Sequence, residues 1–457
     1  QPSMKQRDDK NILRYTQNPP IAQNRRSLLP RIMELFLNID YSKVIIRNPL
    51  RTNIEPNKST LLLYGIEQPR RQSFLGLLSE IYSTQLNTPT NVQEFRRILI
   101  DYIDLDRFVT MYRGSLVSIF YDSSNKTEYD QEKYQNTVLY QSLFSIESMQ
   151  PSKEISTNFM AKIINSYENF LGYLNDSNTQ IDHTYLWELV STSNLFSKSL
   201  NLVIFEITDN KVDVLCPPTP FQSNQEFMFV LKRDAYYEPI YQYSEQEDGF
   251  IVKRTFQHTD FLPNSSIGRL IEIIQSSVDY YCQPTVLENQ EKYRKNHDPA
   301  KLKEILDKYN YEIVYQVWNL HAKLIGFYVR KPGTKSVQLY LPCFPSAPLL
   351  LSQPIPIKFI HDSSMYQSYM NSMKIINLFL QETDHELLIE PTSKIIDTKT
   401  KQILGIMTET NQMIPVIPVD NATIEDELPE TKQSNEIQAD LEISTNPNPE
   451  KTRSQQI

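Results

Sequence analysis

The sequence predicts an α+β protein, in which a helical region is followed by two regions that combine strands with a helix. Apolar residues recur at helical spacing over residues 28–175, and Asn91 with Glu94 has the spacing of a capping box at one helix start. After about residue 200 the pattern changes, and segments 201–208 and 211–216 flank an Asp-Asn turn that is typical of a β-hairpin. A second set of strands follows, and it precedes a further helix.

Five segments are expected along the chain. They are a flexible N-terminal segment 1–27, a mainly helical domain 28–199, a β-rich α+β half 200–298, a second such half 299–419, and a disordered acidic tail 420–457. The two halves share a plan of a hairpin, extended strands and one long helix, at 266–281 in the first and 364–380 in the second. The tail is polar, acidic and rich in proline and asparagine, a composition that cannot bury a core.

The net charge of −9 is concentrated in the tail, where residues 421–457 carry eight acidic side chains against three basic ones. The remainder is close to neutral, which excludes a general electrostatic attraction for nucleic acid but allows a local basic face. No apolar run is long enough to cross a membrane, and the N-terminus lacks the apolar core of a signal peptide. The chain begins with glutamine instead of methionine, so we expect an incomplete N-terminus.

Several enzyme classes are excluded because their residues are scarce or scattered. Nine glycines are spread over 457 residues, so no glycine-rich phosphate-binding loop is present. The six histidines have no metal-binding spacing, and the chain contains no GxSxG motif. The three cysteines include no CxxC pair, which predicts neither a zinc site nor a disulfide framework and fits a reducing compartment. We therefore expect a non-catalytic protein without a cofactor or a metal.

Two groups of carboxylates are candidates for metal-dependent phosphoryl chemistry, which needs acids that converge on one ion. Asp101, Asp104 and Asp106 are close in sequence but share no helical face well, so solvation of a helix end is the favoured interpretation. Glu206 and Asp213 lie in the predicted hairpin, as acids do in metal nucleases, but a clear Glu-x-Lys pattern is missing. A degenerate nuclease is therefore the third hypothesis.

Two arginine pairs and two tyrosines are candidates for DNA contact. The arginine pairs lie on or beside predicted helices, where a solvated helix face is the favoured interpretation and phosphate contact is the alternative. The tyrosines open the segment YYEPIYQY, which alternates poorly for a half-buried strand. Packing on both sides is favoured for that strand, and a stacking or groove-facing surface is the alternative. The candidate side chains are Arg70, Arg71, Arg96, Arg97, Tyr236 and Tyr237.

The segment LLLYGIEQPRRQSFLGLLSEIY at residues 61–82 resembles a signature of proteins from nucleocytoplasmic large DNA viruses. Those proteins are related to the large subunit of the poxvirus early transcription factor. They share an apolar lead, a Tyr-Gly-[Ile/Val]-Glu core and a Gln-Ser-Phe sequence that opens a helix. We expect a strand or turn, a glycine break and then a helix N-terminus here. The matching residues are Tyr64, Gly65, Ile66, Glu67, Gln72, Ser73 and Phe74.

Three further strings resemble the same family, in the same order. They are NLVIFEI at 201–207 followed by Cys216-Pro217, AYYEPIYQY at 235–243, and GIMTETNQMIPV at 405–416. The resemblance covers residues 28–419, which is nearly all of the chain expected to be ordered. The family carries a double-cysteine segment upstream of the Tyr-Gly core, and this chain lacks one. That departure fits an N-terminally truncated member of the poxvirus, asfarvirus or mimivirus type.

The resemblance implies a transcription initiation factor that is not an enzyme. In that family the large subunit binds promoter DNA with a domain similar to TATA-binding protein, and the small subunit is the ATPase. The implied partners are double-stranded promoter DNA, the small ATPase subunit and viral RNA polymerase, without a membrane. The implied location is the virion and the viral factory in the host cytoplasm. The alternative is a virion structural or scaffold protein that makes protein contacts only.

Overall fold

Helices and β-sheets both build the protein, so the predicted α+β class is confirmed. The computed structural model describes residues 11–15, 19–48, 51–125, 130–145, 153–208, 211–246, 249–257, 271, 274, 296–319, 321–334, 337–360 and 363–432. Within these ranges no helix has the length and apolar character needed to cross a membrane.

Ten α-helices and nineteen strands are numbered in chain order within the described ranges. The helices are α1 (Arg31–Phe36), α2 (Ser73–Leu86), α3 (Val92–Tyr102), α4 (Leu105–Thr110), α5 (Leu116–Phe120), α6 (Val138–Leu143), α7 (Lys153–Asn175), α8 (Glu188–Thr192), α9 (Pro299–Lys308) and α10 (Tyr369–Glu382). The strands are β1 (Ile12–Leu13), β2 (Arg26–Ser27), β3 (Ile45–Asn48), β4 (Arg51–Ile54), β5 (Ser59–Tyr64), β6 (Leu200–Thr208), β7 (Lys211–Val214), β8 (Glu226–Arg233), β9 (Tyr236–Gln246), β10 (Gly249–Lys253), β11 (Glu312–Trp318), β12 (Leu324–Arg330), β13 (Gln338–Ser346), β14 (Ile357–Phe359), β15 (Gln367–Ser368), β16 (Pro391–Ile396), β17 (Gln402–Thr408), β18 (Met413–Asp420) and β19 (Glu430–Lys432).

The chain divides into two compact units. The described residues of the first unit lie within Gln1–Tyr102 and Gly172–Thr285, and those of the second lie within Ile103–Leu171 and Val286–Pro447. These boundaries differ from the predicted ones at 199 and 298. Each unit is therefore built from chain segments that are far apart in sequence.

An eight-stranded sheet forms the centre of the first unit, in the order β1-β2-β5-β9-β8-β6-β7 with β10 beside β9. Strand β9 pairs antiparallel with β5 along one edge, and with β8 and then β10 along the other edge. Strand β6 is buried continuously over residues 200–205, because both faces of the sheet are covered. The predicted hairpin is confirmed as β6 and β7, although its turn residues 209 and 210 lie outside the described ranges.

Helix α2 covers one face of β9, and its residues 73–79 are all buried. The helix also lies close to the backbone at Glu67, because Gly76 carries no side chain: a Cβ there would lie 2.0 Å from the backbone oxygen of Glu67. The capping box predicted for the next helix is confirmed, because Asn91 Oδ1 accepts from Glu94 N at 2.9 Å. The Glu94 carboxylate accepts in return from Asn91 N at 3.1 Å.

The second unit contains two sheets, ordered β13-β12-β11-β14 and β15-β18-β17-β16-β19. The part of α7 that belongs to this unit packs on the first sheet, where the Phe159 ring lies 5.8 Å from Trp318 and 5.0 Å from Phe359. A buried amide crosses to the second sheet, because Gln412 Nε2 donates to Cys343 O at 2.7 Å. These contacts hold the sheets of this unit together with both apolar and polar groups.

The structure differs from several predicted segments. Strands β1 and β2 lie in the segment predicted to be flexible, and β3, β4 and β5 lie in the segment predicted to be mainly helical. Residues 421–432 of the predicted disordered tail form a 3-10 turn and strand β19, which pairs with β16. Strands β5 and β19 pair with strands that are distant in sequence, which a local pattern does not reveal. Strands β3 and β4 form a separate two-stranded hairpin from neighbouring segments, which the helical spacing did not indicate.

The two predicted halves also differ from the observed sheets. Strands β6–β10 join β1, β2 and β5 in one sheet, whereas β11–β19 form two others. The helix predicted at 364–380 is α10, and the one predicted at 266–281 lies outside the described residues except for Ile271 and Ile274. The expectation of no disulfide is wrong at Cys216, which is disulfide-bonded. Cys343 is free and buried, and Cys282 lies outside the described ranges.

Replacing Gly76 with alanine tests the close approach of α2 to the Glu67 backbone. We expect Gly76→Ala to lower the free energy of unfolding by about 2 kcal/mol or more, because the added methyl group overlaps a backbone oxygen that cannot move freely. The control is Gly172→Ala in α7, where a Cβ meets no described residue within 4 Å. This control should raise the free energy of unfolding by about 0.5–1 kcal/mol, because alanine is preferred to glycine inside a helix. Urea unfolding measures both variants, and a Gly76→Ala protein as stable as the wild type would contradict this packing.

The ordered start of the tail contains an ion pair between a buried lysine and an exposed aspartate. Lys394 on β16 is 4% exposed, and its Nζ lies 2.7 Å from Asp426 Oδ1. The Tyr369 hydroxyl donates to the other carboxylate oxygen. Thr431 Oγ1 also hydrogen-bonds to Ser393 Oγ at 2.8 Å, beside the parallel pairing of β19 with β16. Residues 424–432 are therefore held mainly by charge and hydrogen bonding.

The variant Asp426→Asn should destabilise the second unit by about 1–2 kcal/mol. It leaves the buried Lys394 ammonium without its counter-charge, but water reaches the exposed position 426 and screens part of the loss. The double variant Lys394→Met/Asp426→Asn removes both charges and should recover most of that loss. Thermal unfolding followed by circular dichroism measures the series. Equal melting temperatures for the single and double variants would show that the pair is not coupled.

Candidate functional site

The Tyr-Gly core of the signature marks the end of β5 and a close crossing of two backbones. Gly65 donates to Arg25 O and accepts from Asn24 N, both at 2.8 Å. A Cβ at Gly65 would lie 2.1 Å from Ala22 O, so only glycine fits. The Tyr64 hydroxyl donates to Asn24 Oδ1 at 2.9 Å beside this crossing. The predicted order of a strand, a glycine break and a helix N-terminus is confirmed.

Two polar residues of the signature cap neighbouring backbone groups. Glu67 Oε2 accepts from Val92 N at 3.1 Å, so its carboxylate lies at the first turn of α3. Gln72 is 2% exposed, and its Nε2 donates to Asp176 O at 2.9 Å. Both side chains therefore have structural partners within the first unit.

Ser73 and Phe74 contact the start of β9. The backbone N–H of Tyr237 donates to Ser73 Oγ and to Gln68 Oε1, each at 3.0 Å. The Phe74 ring lies 5.0 Å from the Tyr237 ring in an edge-to-face arrangement. Strand β5 pairs with β9 only from Ile240 onward. The side chains of Ser73 and Gln68 therefore occupy the edge of β9 that β5 leaves open.

A row of polar side chains crosses four strands at this end of the sheet. The strand registers pair Asp213 with Glu206, Glu206 with Lys232, and Lys232 with Tyr237. Residues in register on neighbouring strands present their side chains to the same face. Lys232 forms an ion pair with Glu206, and the Tyr237 hydroxyl hydrogen-bonds to His183 Nδ1 at 2.7 Å. We call Asp213, Glu206, Lys232 and Tyr237 the polar row.

Asp213 is the least satisfied member of the polar row. Asp213 is 7% exposed, and within the described ranges its Oδ1 atom has no hydrogen-bond partner. Burial raises the pKa of the Asp213 carboxyl, and the neighbouring Glu206 raises it further, while Lys211 opposes both. Burial likewise raises the pKa of Tyr237 well above its usual range. The polar row thus holds two adjacent carboxyl groups and one ammonium group in a partly dehydrated position.

The structure separates the four candidate arginines. Arg70 and Arg97 are exposed, as phosphate contact requires. Arg71 is exposed too, but its Nη1 donates to Asn178 O at 2.7 Å. Arg96 is 5% exposed, so the interpretation of phosphate contact is wrong for this side chain in the folded state.

Arg96 is buried because it lies on the face of α3 that also buries Val92, Phe95 and Leu99. Its Nε and Nη2 atoms have no hydrogen-bond partner among the residues that the structure describes, and Nη1 donates to Gln93 Oε1 at 3.4 Å. Burial lowers the pKa of the guanidinium, and the charge of Asp176 acts in the opposite direction. Sequence spacing alone does not distinguish Arg96 from its exposed neighbour Arg97.

The two candidate tyrosines also differ. Tyr236 is half-buried, but Tyr237 is 1% exposed, so a stacking surface for nucleic acid is wrong for Tyr237. Tyr241 and Tyr243 further along β9 are buried as well. The interpretation of a strand packed on both faces is therefore confirmed.

The carboxylates at 104 and 106 have structural roles. Asp104 Oδ1 accepts from Arg107 N at 2.8 Å and caps α4. Asp106 accepts from Val138 N at 2.8 Å and from Leu139 N at 3.0 Å, and so caps α6. Asp101 is exposed on α3. Among the described residues, no group of three or more histidine, cysteine, aspartate or glutamate side chains is arranged to hold a metal ion.

Lys232, His183 and Gln68 belong to the site but were not among the sequence candidates. The signal for Lys232 is its place at the end of an apolar strand, where alternation puts it on the face of Val230. Gln68 and His183 are joined to Tyr237 by contacts between residues 54 to 169 positions apart, and they have no local signal.

Comparisons with protein-family models, with curated proteins and with solved structures found no match for this chain.

The contrast between Tyr237 and Tyr236 tests the structural role of the buried tyrosine. Tyr237→Phe removes the hydroxyl that His183 uses twice, through Nδ1 and through its backbone N–H at 3.3 Å. We expect the free energy of unfolding to fall by about 1–2 kcal/mol. Tyr236→Phe is the matched control and should change it by less than about 0.5 kcal/mol. Equal effects in urea unfolding would show that the His183 contact contributes nothing.

Proposed function

We propose that this chain is a non-catalytic subunit of the early transcription machinery of a large DNA virus. In this proposal it binds promoter DNA and, together with an ATPase partner, recruits viral RNA polymerase. The support is the resemblance of four strings, and one observation carries it furthest. Three of those strings, at 61–82, 201–207 and 235–243, lie on β5 with α2, on β6 and on β9 of one sheet. The fourth forms the hairpin of β17 and β18.

The positions of the four strings support a fold shared with the family more than they support a shared binding site. A larger side chain at Gly65 or Gly76 would overlap a neighbouring backbone. An apolar side chain at Ser73 would remove a hydrogen bond from the Tyr237 backbone. A family would keep such residues for folding whatever the chain binds. The transcription role therefore rests on the resemblance, and DNA contact requires separate support.

Support for DNA contact comes from the turn before α2 and from α3. Arg70 and Arg71 lie in the turn that precedes α2, and Arg97 lies on the exposed side of α3. Guanidinium groups at such positions can form paired hydrogen bonds with phosphate oxygens. The neutral body of the chain favours a modest contact that is sensitive to salt.

A scaffold protein without DNA contact is the second candidate function. It is favoured by the burial of Arg96 and Tyr237, which removes two of the six candidate DNA contacts. It is also favoured by the net charge of −9. The two functions differ in one measurable property, which is salt-dependent binding to duplex DNA.

The test is fluorescence anisotropy of a labelled promoter-length duplex across a series of salt concentrations. Arg70→Ala/Arg97→Ala should weaken binding to all sequences and reduce the salt slope by about 2, because two phosphates are then no longer neutralised. The matched control is Arg31→Ala/Lys43→Ala, which removes two exposed cations of the first unit that pair with carboxylates. This control should retain the wild-type slope.

Two results would contradict the proposal. If the wild-type chain binds no duplex at low salt, alone or with its ATPase partner, the scaffold function is supported. If both double variants lose affinity equally, the effect is one of overall charge and Arg70 and Arg97 are not the contact.

A further inference from the structure

We propose that Asp213 and Glu206 bind one hydrated divalent cation, Mg²⁺ or Mn²⁺, at the end of the eight-stranded sheet. This site is independent of the proposed transcription role. It is formed within the first unit by β6 and β7, and Lys232 on β8 competes with the ion for Glu206.

Two like charges are paired across neighbouring strands. Glu206 and Asp213 are directly opposite each other in an antiparallel pair, where the Cβ atoms of such residues are about 4.5–5.5 Å apart. Two carboxylates at that distance repel each other unless a cation or a proton lies between them. The charge of Lys232 is directed to Glu206, on the side away from Asp213.

Asp213 has one carboxylate oxygen that is buried and unsatisfied among the described residues. Asp213 is more than nine-tenths buried, and Thr208 hydrogen-bonds to its carboxyl group. Its Oδ1 atom has no partner among the described residues, although buried polar atoms almost always have one. An unfilled carboxylate oxygen beside a second carboxylate is the arrangement that a bound ion or water satisfies. The charged groups that face Asp213 are Glu206 and Lys211. Lys232 and Tyr237 lie further along the polar row, beyond Glu206.

The donor atoms of the site determine which ion it can bind. Both side chains offer only oxygen atoms, and Mg²⁺ is commonly held by one or two carboxylates while it keeps several of its waters. Zinc prefers nitrogen and sulfur donors, usually three or four of them, and the polar row has no such set. The side chain of Glu206 is 23% exposed, so a hydrated ion can reach the site from the Glu206 side.

The side chain of Lys232 is 16% exposed and pairs with Glu206. A cation can engage both carboxylates only if the Lys232 ammonium releases Glu206, and the flexible lysine stem allows that release. Removing the ammonium should therefore strengthen cation binding, although it also removes an ion pair. A purely structural ion pair makes no such prediction.

The experiment is isothermal titration calorimetry of the full chain with MgCl₂ and MnCl₂, after treatment with a chelator. We expect saturable uptake of one ion per chain at about millimolar concentration or below. Asp213→Asn should abolish it, and Glu206→Gln should weaken it at least roughly tenfold. The matched control is Asp101→Asn, an exposed acid of the same unit, which should bind as the wild type does.

The variant Lys232→Met tests the competition directly and should tighten binding by roughly tenfold. It also keeps the proposal falsifiable if Asp213→Asn does not fold. No saturable uptake by the wild type would overturn the proposal. Equal affinities for Asp213→Asn and Asp101→Asn would also overturn it, as would unchanged or weaker binding by Lys232→Met.

Discussion

The first unit depends on how the backbone and buried charges of β9 are satisfied. This strand pairs with β5, β8 and β10, but neither β5 nor β10 reaches its first residues. There the N–H of Tyr237 is met by Gln68 and Ser73. Glu238 is fully buried, and its carboxylate accepts from Arg233 Nε and from Ile21 N, both at 2.7 Å. A buried carboxylate or amide without such partners would cost several kcal/mol, so these contacts fix where neighbouring segments lie.

This constraint explains why the signature segment has its particular residues. Gly65 lets β5 end against the Ala22 backbone, Gly76 lets α2 approach Glu67, and Ser73 completes the edge of β9. The segment is thus a joint between a strand, a helix and the next strand of the sheet. The polar row begins at the same tyrosine, so a row of titratable side chains lies next to this segment.

Local features of the chain could be predicted from the sequence, and features that depend on distant partners could not. The α+β class, the hairpin at 201–216, the capping box at Asn91 and the strand, glycine and helix order at 61–74 all rest on neighbouring residues. Strand β5 depends on pairing with β9, where Leu61 is in register with Gln242, so helical spacing was misleading there. Burial separated Arg96 from Arg97 and Tyr237 from Tyr236, because it is decided by packing on other elements. The register of β8 with β6 and β9 places Lys232 in the polar row, and the sequence does not reveal that register.

The most direct test of this account is the hydrogen exchange rate of the Tyr237 amide, measured by NMR or by mass spectrometry of the peptide that contains it. If Gln68 and Ser73 close the edge of β9, this amide should exchange only when the whole unit unfolds. Its opening free energy should then equal that of the Val230 amide in the centre of β8. Fast exchange by local opening, at a rate typical of a frayed edge, would show that the signature segment does not hold β9.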